Sequence, residues 1–135
     1  MRRSHLSDEE LAAYDHIPVE LARRVVLWEL PRVPGQFAGI TLGRHVLTSG
    51  RKDRTGRSML IAHELVHVRQ WAELGVIGFA ARYLAGFVAG LRAERRWMPA
   101  YRAIPAEVEA RELATAWRVR TQGHRGTPAA GDATA

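Results

Sequence analysis

The chain has 135 residues, 47% of them hydrophobic and 25% charged, which is enough for one compact domain with a modest core and too little for two. It contains no cysteine, so disulfides and thiolate metal sites are excluded, and any metal ion must be bound by histidine and carboxylate side chains. The formal charge of +6 comes from arginines dispersed along the chain, with Lys52 as the one lysine, and this dispersion argues against a nucleic-acid partner, which favours a clustered basic face.

The N-terminal segment begins with two arginines and has no apolar run behind them. This pattern is atypical of a secretory signal and favours a cytoplasmic location. Ser7 and Glu10 predict a capping box at the start of a short helix. A second helical turn after Pro18 leads into residues 25–30, whose β-branched and aromatic side chains predict a strand that Pro31 ends.

A small β-hairpin is predicted next. Residues 37–42 and 45–48 are short strand-like runs separated by Gly43 and Arg44. Residues 49–57 are polar and punctuated by glycine, so they are expected to form a surface loop that leads into the next helix.

Three helices are predicted in the second half of the chain. Residues 58–74 contain no Pro or Gly and carry an apolar stripe at helical spacing, so they predict a central helix that Gly75 ends. A second, apolar helix is expected from residue 76 to about residue 92. A third helix is opened by Pro105 and is expected to cover residues 106 to about 121.

The apolar stretch 74–91 is nearly long enough to span a bilayer. Arg82 interrupts it near the middle, and four glycines weaken it as a spanning helix. We therefore expect a buried or partly interfacial helix, and keep membrane association through residues 74–96 as the alternative.

The C-terminal residues 123–135 are rich in Gly, Ala and Thr and offer almost nothing to bury. They predict a disordered tail that follows a single domain formed by residues 1–122.

The central helix carries the HExxH sequence of His63, Glu64, Leu65, Val66 and His67. Positions i and i+4 lie on one face of a helix, so both imidazoles can bind one metal ion. Glu64 lies to one side of that pair, where its carboxylate reaches a metal-bound water without binding the metal. This arrangement predicts a zinc ion that activates water and a glutamate that accepts the proton.

A catalytic zinc ion needs a third protein ligand and leaves its fourth position to water. Glu73 lies on the wrong side of the central helix, and His124 lies in the predicted tail. Apart from Glu94, the remaining candidates lie at the start of the third helix. They are Glu107, Glu109 and Glu112, and the first two point nearly opposite ways, so at most one of them binds the metal.

Two segments, residues 60–71 and 101–112, together resemble the gluzincins, zinc metallopeptidases in which a glutamate on a later helix completes the HExxH site. The chain is most similar, over about residues 37–117, to minimal gluzincin peptidases and to compact zincin-like domains, some linked to contractile injection systems, that carry HELxHVxQ-type helices. The resemblance implies a minimal zincin-like α+β fold: a small antiparallel β-hairpin or sheet packed on the HExxH helix, an apolar second helix and a glutamate-bearing third helix. It also implies Zn²⁺ as cofactor and a peptide or protein as substrate.

The resemblance implies Glu107 as the third ligand, because the gluzincin pattern ExxAD places its first glutamate there. Arg111 stands where that pattern has an aspartate behind a metal-binding histidine. An arginine cannot accept a hydrogen bond from the imidazole, so either Glu109 or Glu112 takes that role or the register is shifted. Glu109 and Glu112 therefore remain alternative ligands.

A peptidase also needs a donor to the oxyanion. Tyr101 is the preferred candidate, with Tyr83, Arg102 and Arg111 as the others. The resemblance implies that the strand region 37–48 binds the substrate as an added strand.

The expected function is zinc-dependent peptide-bond hydrolysis with Glu64 as general base. The alternative is a catalytically weak or inactive zincin-fold binding module with a structural zinc ion.

Overall fold

The computed structural model describes residues 1–33 and 37–123. Within these ranges the chain forms a four-stranded sheet and five helices, which confirms the α+β class. The predicted tail, apart from Gly123, lies outside the described residues.

Three short elements open the chain: strand β1 (Arg2–Ser4), helix α1 (Asp8–Ala13) and helix α2 (Val19–Arg24). The capping box is confirmed, because the Ser7 hydroxyl accepts from the Glu10 amide and the Glu10 carboxylate accepts from the Ser7 amide. Strand β1 was not predicted, because its three polar residues carry no strand pattern.

The sheet has the order β1-β2-β4-β3, with β2 at Val26–Leu30, β3 at Gly39–Leu42 and β4 at His45–Ser49. The predicted hairpin is confirmed: β3 pairs antiparallel with β4, and the turn uses Gly43 at φ 64°. The sheet as a whole is mixed, because the chain leaves β2, forms β3 at the far edge and returns as β4 parallel to β2. Strand β3 therefore has one edge with which no other described strand pairs.

Helix α3 (Met59–Glu94) contains the HExxH sequence and is broken at Gly75, whose φ of 73° and ψ of 167° are not helical. The break divides α3 into a site arm, residues 59–74, and an outer arm, residues 76–94. The predicted division at Gly75 is thus confirmed, because glycine alone adopts this backbone geometry readily.

Two further helices follow, α4 (Trp97–Ala103) and α5 (Pro105–Gln122). Helix α5 is the predicted third helix. Helix α4 was expected to be a break, yet Pro99 lies in its first turn, where a proline costs no hydrogen bond.

The core lies between the sheet, the site arm and α5. Its fully buried members include Leu27, Val46, Ile61, Leu65 and Trp117. The Trp117 indole donates to the carbonyl of Ala13 at 2.8 Å, which ties α5 to the N-terminal segment.

The outer arm departs from the burial expected of it. Val76 and Ile77 are 67% and 85% exposed, whereas Phe79 and Gly90 are the arm's buried residues. By length and composition, α3 is the one described helix apolar enough to cross a membrane, and only 6% of its most apolar stretch is buried. The face of this arm that carries Gly90, its inner face, packs on α4. No described element covers the opposite, outer face, which carries Val76 and Ile77.

Candidate metal centre

The structure brings the side chains of His63, His67 and Glu107 together. One donor atom from each lies within 4.8 Å of the other two. The Glu107 carboxylate bridges the histidines, with its Oε1 3.2 Å from His63 Nε2 and its Oε2 3.1 Å from His67 Nε2. Glu109 and Glu112, the alternative ligands, are exposed and do not belong to this group.

Local helix geometry produces this convergence. The site arm starts after Ser58, whose hydroxyl accepts from the Ile61 amide and fixes the first turn. The two imidazoles follow at i and i+4, with ring centroids 5.0 Å apart. Glu107 sits in the first turn of α5, where the helix dipole favours a carboxylate.

The group fits a divalent metal ion. His67 Nε2 is buried and has no hydrogen-bond partner among the described residues, because its 3.1 Å contact with Glu107 lacks hydrogen-bond geometry. A buried donor atom without a partner is costly unless something binds it. Two imidazoles and one carboxylate form a ligand set of catalytic zinc sites and leave one position open.

A hydrogen-bonded chain fixes the orientation of His67. Gln70 Oε1 lies 2.7 Å from His67 Nδ1, while Gln70 Nε2 donates to the Ala106 carbonyl at 3.1 Å and to the Glu109 carboxylate at 2.8 Å. These two acceptors settle which end of the Gln70 amide is oxygen. His67 therefore carries its proton on Nδ1 and presents the Nε2 lone pair to the centre.

These hydrogen bonds through Gln70 take the role that the gluzincin pattern gives to an aspartate behind a metal-binding histidine. Glu109 is part of it, but acts on Gln70 instead of directly on an imidazole. Arg111 donates to the carbonyl of Arg102 at 2.7 Å. Gln70 was not identified from the sequence, although its position three residues after His67 places it on the same helix face.

Tyr83 holds the second oxygen of Glu107. Its hydroxyl donates to Glu107 Oε2 at 2.8 Å. The sequence presented Tyr83 only as a candidate oxyanion donor, since nothing local shows that the outer arm reaches the start of α5.

Glu64 lies beside the cluster in a separate contact. Its Oε2 accepts from the Thr41 hydroxyl at 2.7 Å, and its side chain is so close to β3 that a Cβ at Gly39 would lie 3.1 Å from Oε1. Burial raises the pKa of Glu64 and outweighs the opposing effects of His67, His63 and Thr41. A carboxylate with a raised pKa is a better proton acceptor.

The protonation of the cluster is coupled. Burial disfavours the Glu107 carboxylate, but the neighbouring His63 and His67 imidazoles and the Tyr83 hydroxyl hold the pKa of Glu107 well below its usual range. Burial likewise disfavours the His67 imidazolium, but the contact with Glu107 raises the pKa of His67. A metal ion binds an imidazole nitrogen only when that nitrogen carries no proton, so metal affinity should fall as the pH falls through the raised pKa of His67.

A cleft of about 450 Å³ opens beside the centre. Glu64, His67 and Glu107 line it, and β3 forms one wall. Much of the remaining wall is aromatic, from Phe37, Trp71, Phe79, Phe87, Trp97 and Tyr101.

Tyr101, the preferred oxyanion donor, lines this cleft. Burial raises the pKa of both Tyr101 and Tyr83, and their hydroxyl groups interact with each other near Glu107. Both side chains therefore remain neutral phenols that can donate a hydrogen bond.

Comparison with known protein families, with curated proteins and with solved structures finds no match to this chain.

Proposed function

We propose that this protein is a zinc-dependent peptidase, with His63, His67 and Glu107 as zinc ligands and Glu64 as general base. The observation that carries the proposal is the convergence of the three donor atoms within 4.8 Å at the same cleft that Glu64 lines. Imidazole and carboxylate ligands are compatible with zinc, and zinc is favoured over other divalent ions because the two segments that carry the ligands resemble those of gluzincins.

When bound, zinc supplies a Lewis acid that acidifies water and polarises a carbonyl group. Glu64 accepts the proton as the water attacks, and Thr41 keeps one carboxylate oxygen in a fixed direction. Tyr101 donates to the developing oxyanion from the cleft wall. Glu64 then passes the proton to the leaving amine.

The open edge of β3 supports a peptide as the substrate. Residues Gly39–Leu42 line the cleft, and β4 is the one described strand that pairs with them, although the Thr41 carbonyl already accepts from the Trp71 indole at 3.2 Å. An extended peptide that pairs with this edge would place its backbone beside Glu64. The aromatic cleft would bind an apolar side chain of that peptide.

Glu64→Gln tests the catalytic role. The amide keeps the size of the side chain but cannot accept the proton, so turnover of a peptide library should fall by about 100-fold or more. Zinc content should be unchanged. The matched control is Glu73→Gln, an exposed glutamate on the same arm, which should keep full activity. Equal turnover by wild type and Glu64→Gln would refute the general-base role.

A zincin-fold binding module with a structural zinc ion is the second candidate. The observation that favours it is that the ligands join the site arm to α5, so a metal ion there would also cross-link the fold. In that case the wild type and Glu64→Gln would both be inert, while a chelator would lower the melting temperature of both equally.

A further inference from the structure

The outer face of the outer arm is apolar and uncovered. It forms what we call the apolar patch, made by Val76, Ile77, Ala80, Leu84, Ala85 and Val88, all of which are exposed. A helix that is apolar on all sides is normally buried or in contact with lipid. Contiguous exposed apolar surface of this kind marks an interaction site.

The inner face of the same arm is already used within the chain. A Cβ at Gly86 would lie 3.0 Å from Pro105 Cδ, and one at Gly90 would lie 3.0 Å from the carbonyl oxygen of Ala100. These two glycines form the GxxxG pair that brings helices close together. Since it packs against α4 and the start of α5, the pair is not free to bind a second copy of the chain.

The surroundings of the apolar patch are cationic. Residues 74–104 contain five arginines and one glutamate, a net charge of +4. Arg92, Arg95 and Arg96 follow the patch directly, next to Trp97, which is 46% exposed. Apolar side chains flanked by arginines and an exposed tryptophan are typical of helices that lie in the interface of an anionic bilayer.

We propose that the apolar patch and the arginines that follow it dock this protein on an anionic lipid bilayer. The outer arm lies in the plane of the interface and does not span the membrane. Spanning would place Arg82 near the bilayer centre and would draw the Glu107 cluster, which packs on the inner face through Tyr83, into hydrocarbon.

Docking brings the cleft close to the lipid surface. Leu84 of the apolar patch also lines the cleft, and so does Trp97, which follows the arginines. Docking requires neither the metal ion nor Glu64. A negative result for docking would therefore not refute the proposed catalysis, and the reverse also holds.

Co-sedimentation of the full chain with lipid vesicles tests the proposal. Vesicles of phosphatidylglycerol and phosphatidylcholine in equal parts should bind the protein, and vesicles of phosphatidylcholine alone should bind it much more weakly. Added salt should weaken binding to the anionic vesicles. Failure of the wild type to bind the anionic vesicles would overturn the proposal.

Two double variants separate the contributions of the patch and the arginines. Val76→Ser with Ile77→Ser should lower vesicle affinity by about 100-fold, and Arg92→Gln with Arg96→Gln by about 30-fold. The controls remove exposed apolar and cationic residues elsewhere: Val19→Ser with Val119→Ser, at valines 41% and 40% exposed, and Arg23→Gln with Arg24→Gln. The controls should bind like wild type.

Each alternative to docking on the bilayer surface predicts a different experimental result. Equal losses in the test and control variants would show nonspecific charge or apolar attraction and contradict the patch. A dimer that Val76→Ser with Ile77→Ser dissociates, without vesicle binding, would assign the patch to a second copy. Bound protein that resists extraction by salt and alkaline carbonate would show a spanning helix. Unchanged circular dichroism of the variants excludes unfolding as the cause of lost binding.

Discussion

The two arms of α3 are similar in apolar content and opposite in burial. In the site arm, Ile61 and Leu65 are completely buried, and the polar residues His63 and His67 of the same arm contact Glu107 and Gln70. In the outer arm, Val76 and Ile77 are mostly exposed, and the one arginine of its apolar stretch is exposed as well. The apolar content of a helix therefore indicates that its side chains favour burial. It does not show whether other parts of the same chain bury them.

Isoleucine occurs in both arms, so the same substitution tests their difference in burial. Ile61→Ala should lower the free energy of unfolding by about 2–5 kcal/mol, because it opens a cavity in the core. Ile77→Ala should change it by less than about 0.5 kcal/mol, because the side chain is 85% exposed. Urea unfolding of both variants measures the difference. Similar losses would mean that the outer arm is covered in solution.

The hydrogen bond between His67 and Gln70 should contribute to metal binding in the site arm. Gln70→Leu removes the acceptor that holds the His67 Nδ1 proton, so zinc affinity should fall by about 10- to 100-fold. Competition with a chromogenic chelator measures this affinity. Glu112→Gln, an exposed change on α5, serves as the control and should have no effect. An unchanged affinity in Gln70→Leu would show that His67 does not depend on this hydrogen bond.

The junction between the two arms depends on the backbone geometry of Gly75. Gly75→Ala should cost about 1–2 kcal/mol, because an L side chain is disfavoured at φ 73° even though a Cβ there meets no atom within 4 Å. Gly78→Ala lies in regular helix and should be neutral or stabilising by about 0.4–1 kcal/mol. Thermal unfolding should show a lower melting temperature for Gly75→Ala and an equal or higher one for Gly78→Ala. A stabilised Gly75→Ala would indicate a continuous helix in solution.

Features that depend on local spacing could be predicted from the sequence. The positions of His63, Glu64 and His67 on one helix follow from the i and i+4 rule, and the division at Gly75 follows from the backbone freedom of glycine. The grouping of Glu107 with the histidines needed the resemblance to gluzincins, since three acidic residues at the start of α5 were equivalent by spacing alone.

Features that depend on distant parts of the chain could not be predicted. Gln70 orients His67 only because α5 supplies two acceptors for its amide. Likewise, β2 lies parallel to β4 only because the chain forms β3 at the far edge first. Of the two expectations for the outer arm, burial was wrong, because composition does not reveal which surfaces other parts of the chain cover, and a partly interfacial helix stays a prediction.

The metal content of the purified full chain tests the central claim most directly. Elemental analysis should find about one zinc ion per chain, and X-ray absorption should show two imidazole nitrogens and carboxylate oxygen as its protein ligands. His63→Ala and His67→Ala should each abolish stoichiometric zinc. A wild-type protein that contains no zinc and takes up none when it is offered, or histidine variants that retain it, would contradict a metal centre at this site.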